Sequence, residues 1–431
     1  MLVPAATRLT ICNAQIPAAL AGDPLSGKLI GVDLVLEGGV VVSAGPAGSA
    51  PREEERIDAQ NGLVLPCLAD IHTHLDKGHI WPRTQNPDGT WFGALTAVMG
   101  DRQSRWAATD VERRMDFALR CAYAHGTVAI RTHLDAAPPQ HEISFAVFQR
   151  MRERWAGRIE LQAVALVGPD VLLDPMALDA VAQEAKRAGG ILGGSIAVHP
   201  EARAAIFAAV EKAGELGLDL DLHIDETLAP ESSGLRHYAD AVLETRFQGR
   251  MLAGHCCVLS VQDEPVWRAT IDRVAETGIS VVSLPMCNMF LQDRAAPRTP
   301  RFRGVTLVNE FRAAGVKVAL ASDNTRDPFY AYGDLDMVEV FRESVRIAHL
   351  DHPQESAWTW TRAVSAEASE ITGFQYSGRI EPGAPADLIV FRARSWSELM
   401  SRPQGDRIVL RGGRRIDNTL PDYRELDDLM E

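Results

Sequence analysis

Short apolar runs recur along the chain, and stretches rich in Ala, Leu, Glu and Arg with helical spacing separate many of them. The runs are LVLPCLADIHTH from Leu63, TVAIRTHLD from Thr127, LQAVALVG from Leu161, GGSIAVHP from Gly193, LDLDLHIDE from Leu218, RMLAGHC from Arg250, ISVVSLP from Ile279 and VKVALASD from Val316. Helical stretches start at Ala108, Glu201 and Thr306, and glycines at 126, 217 and 315 stop them. Near-continuous apolar strands joined by helices predict a parallel sheet covered on both faces. Eight such units fit a closed (β/α)8 TIM barrel better than an open doubly wound sheet.

The two ends read differently. RLTICNAQI from Arg8, DLVLEGGVVVSAG from Asp33 and RIDAQNG from Arg56 are short and β-like, with turn residues between them, and GAPADLIVFRA from Gly383 and RIVLRGGRRI from Arg407 return to that style. Neither group is large enough to bury a core alone. They predict one small β-sandwich domain built from both termini. The expected division is 1–62 and 377–431 for that domain, with the acidic tail 417–431 on the surface, and 63–376 for the barrel.

The chain has 431 residues, 46% hydrophobic and 24% charged, with 34 Gly and 24 Pro, which excludes a disordered or collagen-like protein. Lys and Arg number 44 against 58 Asp and Glu, a net charge of −14, so phosphate neutralisation is poorly served and nucleic acid is not an expected partner. A neutral or cationic small molecule suits this balance. The six cysteines form no CxxC pair and read as buried reduced thiols. The N-terminal stretch shows no basic leader, and no window reaches the ~18 apolar residues of a membrane span, so no membrane is expected and the cytoplasm is the default location.

The chemistry concentrates at strand ends. His72 and His74, two apart in DIHTHLDK, project from one side of an extended strand. At the C-terminal end of a barrel strand they point into the mouth, where two imidazoles make half of a divalent metal site; a pair of core histidines is the alternative. Later strand ends supply His223 in HIDE, His255 in HCC and Asp323 in ASDN. His223 and Asp323 complete a set of three nitrogens and one oxygen that leaves a position for water.

HxH after the first strand, His after the fifth and sixth and Asp after the eighth resemble the amidohydrolase superfamily, and within it the cytosine deaminase group, related to the triazine and N-isopropylammelide aminohydrolases. RTHLD, PMCNMFLQDR and ASDNTRDPFYAYG carry further likeness. The resemblance implies His72, His74, His223 and Asp323 as ligands of one divalent ion, Zn2+ or Fe2+. A single metal follows because GGSIAVHP lacks the strand-four lysine of two-metal relatives; His199 stands there as a structural or supporting residue. It further implies that metal-bound hydroxide attacks the ring and ammonia leaves. Asp323 then accepts the water proton, His255 orients the nucleophile, and Glu226, three residues after His223, protonates a ring nitrogen.

Substrate contacts are expected from Lys77, Trp91, Gly168, Asn324 and Phe329, with Phe92 as a second candidate wall. Lys77 reads equally as a salt-bridging residue, and His133 as a core histidine. Gly168 stands where bacterial cytosine deaminases carry a ring-reading glutamine, Asn324 where a second acid is usual, and Phe329 where a tryptophan is usual. The expected substrate is a nitrogen heterocycle, cytosine or a cytosine-like ring such as 5-methylcytosine first. Isoguanine, creatinine-like and s-triazine rings, and cyclic-amide hydrolysis, are the alternatives. Relatives of the group often assemble as dimers or rings, so a homo-oligomer is compatible.

Overall fold

The computed structural model describes residues 8–50 and 55–431; the reading of a missing leader falls partly outside them. Two compact units emerge. The described residues of Met1–Ala69, with Cys121–Ala129 and Asp336–Leu420, form one, and Asp70–Arg120, Ile130–Leu335 and Pro421–Glu431 form the other. We keep the three-segment division at 62/63 and 376/377 as a proposal; the last residues of the acidic tail cluster with the second unit.

The first unit begins with β1 (Leu9–Pro17), β2 (Leu29–Glu37), β3 (Val40–Pro46) and β4 (Glu55–Asp58), in spatial order β3-β2-β1-β4. Gly38 and Gly39 take φ of 63° and 84° between β2 and β3, the left-handed pair that lets a two-residue hairpin turn match strand twist. A register shift between Ile11 and Ala14 is absorbed by Asn13 at φ 54°. Val64–Pro66 follows as β5.

The eight-stranded sheet runs in sequence order through β6 (Leu68–Thr73), β7 (Thr127–Asp135), β8 (Glu160–Leu166), β9 (Ile191–Ile196), β10 (Leu220–Ile224), β11 (Met251–His255), β12 (Ser280–Ser283) and β13 (Val318–Leu320). Pairs from β8 to β13 are parallel, as expected of strands separated by helices. Thr73 bridges Asp323 in parallel, and the Asp323 N–H donates to the His72 carbonyl at 2.9 Å, bringing the two edges together as a barrel requires.

Helix α1 (Trp91–Arg105) was not expected from the sequence; α2 (Ala108–His125) was. Next come α3 (Gln140–Trp155), α4 (Pro169–Leu173), α5 (Pro175–Arg187) and α6 (Ala202–Leu216). After them lie α7 (Gly234–Thr245), α8 (Glu264–Ala275), α9 (Pro285–Leu291) and α10 (Val308–Ala313). Gly217 ends α6 at φ 66°, where a side chain would strain the left-handed cap.

The chain returns with β14 (Leu388–Val390), β15 (Ile408–Arg411) and β16 (Arg414–Arg415), which join β5 in the order β16-β15-β14-β5. Ile11, Leu34, Leu36 and Val41 from one sheet share a buried core with Val64, Leu388, Val390 and Leu410 from the other. The predicted β-sandwich from both ends of the chain is therefore present.

Candidate active site

His72 lies in β6 and His74 just past its end, so strand alternation sends both imidazoles the same way. His223 comes from β10, His255 ends β11, and Asp323 follows β13. Gly254, in register beside His223, is needed here: a Cβ would meet the His72 ring at 2.9 Å. His255 and Asp323 take φ of 69° and 68°, left-handed values that side chains rarely adopt and that surrounding bonds must enforce. Ser322 N–H donates to buried Asp70 at 3.1 Å and Thr306 Oγ1 donates to the His255 carbonyl at 2.6 Å. Asp225 accepts from the amides of Gly234 (2.9 Å) and Leu235 (2.8 Å), fixing the loop that carries Glu226.

Four donor atoms converge. His223 Nε2 lies 3.1 Å from His72 Nε2 and 3.2 Å from His74 Nε2, and Asp323 Oδ1 lies 3.2 Å from His74 Nε2 and 3.7 Å from His72 Nε2. A tetrahedral zinc site with bonds near 2.1 Å has donor–donor edges of about 3.4 Å, so the spacing fits one ion. Neither Asp323 oxygen has a hydrogen-bond partner, although both are buried, which suits a carboxylate that faces a cation. Burial first, then the neighbouring imidazoles and Lys77, pushes His72 and His223 well below the usual histidine range. Burial likewise takes His74 down to about 4. Neutral imidazole is the form that ligates metal. Burial opposes the Asp323 charge, but the His74 contact and the nearby imidazoles outweigh it and hold the carboxyl at about 2.

Glu226, His255 and Asp323 form a second group of converging ligand-type atoms on the same floor. Burial, reinforced by the Asp323 charge, raises Glu226 to about 8, while the Trp91 N–H works the other way. Trp91 Nε1 donates to Glu226 Oε2 at 2.7 Å. Asn288 Nδ2 lies 2.9 Å from His255 Nδ1, and His255 Nε2 has no partner. The Asn288 amide thus holds the His255 ring through Nδ1 and leaves Nε2 facing the cavity. Burial lowers His255 to about 4, so this imidazole is neutral. Lys77, 5% exposed, places Nζ 4.4 Å from the Phe329 ring centroid, and Phe329 meets Trp91 edge-on at 6.1 Å. Asp327 accepts from the amides of Phe329 (2.8 Å) and Tyr330 (3.1 Å), which fixes this wall.

One cavity of about 260 Å3 gathers His74, His223, Glu226, His255 and Asp323 with Lys77, Trp91, Gly168, Asn324 and Phe329. His72 lies fully buried behind them. Phe92 departs from expectation: it is 71% exposed, because it is next to Trp91 on the helix and points away. His133 is buried, its ring 4.0 Å from that of His72, with neither nitrogen hydrogen-bonded; its Nε2 is 3.8 Å from Asp221. His199 Nδ1 accepts from the Glu201 amide at 3.1 Å, a turn contact ahead of α6, so its role is structural. Sequence reasoning missed Asn288, a lone amide with no spacing signal. Beyond Trp91, it also missed the cavity face of α1, where Leu95, Val98, Met99 and Arg102 follow at helical intervals that could have revealed it. Cys67, Cys121, Cys256, Cys257 and Cys287 are buried free thiols and Cys12 is partly buried, as expected.

Fold and site define a metal-site hydrolase barrel, and the amidohydrolase family pattern matches residues 107–416: the chain belongs to the amidohydrolase family. It is 53% identical to the pterin deaminase of Rhizobium rhizogenes over 433 aligned positions, covering 100% of this chain and 98% of that one. Among solved structures it resembles the 5-methylcytosine deaminase of Klebsiella pneumoniae liganded with 5-fluorocytosine. That match has a TM-score of 0.82 at 21% identity, over 96% of this chain and 98% of the other. The N-isopropylammelide isopropylaminohydrolase of Burkholderia multivorans matches with a TM-score of 0.75 at 25% identity, over 96% and 100%. No helix among the described residues is long and apolar enough to cross a membrane.

Proposed function

We propose that this chain is a divalent-metal-dependent aminohydrolase that removes the amino group of a nitrogen heterocycle, and that the ring is a pterin. The hydrolytic part is carried by three imidazoles and a carboxylate converging on one cavity that also holds Glu226 and His255. The pterin part is supported by the 53% identical pterin deaminase, which matches from end to end. Cytosine in particular gains no such support. Gly168 adds no side chain to the cavity, and Leu95, Val98 and Met99 give it an apolar wall that suits the face of a flat fused ring.

His72, His74, His223 and Asp323 would hold one divalent ion, which when bound would lower the pKa of a water and so supply a nucleophile near neutrality. Asp323 takes the proton that this water gives up. His255 donates from Nε2 to the attacking oxygen. Glu226, protonated near neutral pH, gives its proton to the ring nitrogen beside the amino-bearing carbon, so negative charge does not build up as oxygen adds. The carbon–nitrogen bond breaks as the amino group takes the proton held by Asp323 and leaves as ammonia. The added oxygen returns its remaining proton to Glu226 and becomes a carbonyl. Lys77 donates to a ring carbonyl oxygen, Trp91 and Phe329 flank the flat ring, and Asn324 faces its edge.

The test is ammonia release from pterin by metal-loaded enzyme, with one equivalent of the dioxo product expected. Release from cytosine or an amino-triazine instead of pterin would move the ring, and release from none would remove the reading. Elemental analysis should find about one Zn or Fe per chain, because one N3O set is present among the described residues; a value near two would contradict the single-ion site.

A further inference from the structure

Trp91 opens α1, and the turn before it is built to hold it. Thr90 Oγ1 accepts from the Gly93 amide at 2.9 Å, and Asp88 Oδ1 accepts from the Thr90 amide at 2.8 Å. Asn86 Nδ2 donates to the carbonyls of Thr90 (2.9 Å) and Pro328 (3.2 Å). The helix start is thus tied to the loop that carries Asp323 and Phe329. From there the indole N–H reaches Glu226 Oε2 at 2.7 Å, short for a bond of this type.

An indole nitrogen only donates. The oxygen facing it must therefore accept, so in a protonated Glu226 the hydrogen belongs on Oε1, the oxygen 3.5 Å from His255 Nδ1. We propose that Trp91 is a positioning residue for Glu226: its N–H turns the carboxyl so that Oε1 presents the proton to the ring nitrogen, and it steadies the carboxylate once that proton has gone. The inference rests on Glu226 being the proton donor. The bond strengthens when its acceptor becomes charged. It therefore favours the transition state over bound substrate, and its loss belongs in kcat rather than KM.

Trp91→Phe keeps an aromatic wall and removes only the donor. In the metal-loaded enzyme it should lower kcat about 10- to 100-fold, as loss of a supporting hydrogen bond does, with KM nearly unchanged. In a Glu226→Gln background the same change should lower kcat no further. An unchanged kcat, a loss carried by KM, or equal losses in both backgrounds would overturn the proposal while leaving Glu226 as donor. If Glu226→Gln itself keeps full turnover, the reading of Glu226 fails and this inference fails with it. A second measurement does not depend on turnover: the Trp91 indole 15N–H resonance, assigned by its absence in Trp91→Phe, should shift in Glu226→Gln. An unmoved resonance would overturn the contact.

Discussion

The β-sandwich and the floor of the barrel site bury side chains equally well but for opposite ends. In the sandwich, Ile11, Ile16, Leu34, Val41 and Leu388 are fully buried and apolar, the ordinary way to stabilise a fold. On the site floor, His72, His74, Lys77, His223, His255 and Asp323 are 0–5% exposed, and their polar atoms lie among one another. Burying such groups without partners is destabilising. On the site floor a bound ion would offset that cost, which nothing in the apolar sandwich core requires.

The comparison breaks if site variants behave like core variants. The largest effect is expected for Asp323→Ala, which removes the proposed ligand and the proposed proton acceptor together. Bound metal should fall below stoichiometric, and turnover should drop by roughly 10³-fold or more, because metal holding and proton transfer are lost together; elemental analysis and ammonia release check both. Glu226→Gln should follow at about a hundredfold or more in kcat with metal retained. A normal thermal midpoint with lost turnover would place it with the working groups.

Acidity sharpens the contrast. Glu226, raised to about 8 by burial and Asp323, is the proposed proton donor, so kcat/KM should fall as pH rises through about 8. That alkaline limb should be missing from the residual activity of Glu226→Gln. Its persistence would assign the limb to another group. In the sandwich, Leu34→Ala should cost about 2–5 kcal/mol of stability and leave kcat at 25 °C unchanged, as checked by denaturant unfolding. The smallest effect belongs to Phe92→Ser, within about 0.5 kcal/mol and without change in kcat, since this ring points away from the cavity.

What the sequence revealed follows the same divide. His72 and His74 were legible because strand periodicity is short and fixed, and His223, His255 and Asp323 because each closes an apolar run. The hairpin strands at both ends were legible from alternation and turn glycines. Helix α1 was not: glycines at 93 and 100 interrupt TWFGALTAVMGDR, which weakens a helical reading. The Trp91–Glu226 bond spans 135 positions, and no local pattern encodes a contact between the start of a helix and a loop so distant in the chain. Phe92 and Trp91 looked equivalent as neighbours, until a helix turned one outward.

The most direct test is anomalous diffraction from crystals of the metal-loaded protein, collected at the absorption edge of the bound ion. One peak is expected, about 2.0–2.2 Å from His72 Nε2, His74 Nε2, His223 Nε2 and an Asp323 oxygen. No peak there, or a peak held instead by His133 and Asp221, would contradict the account.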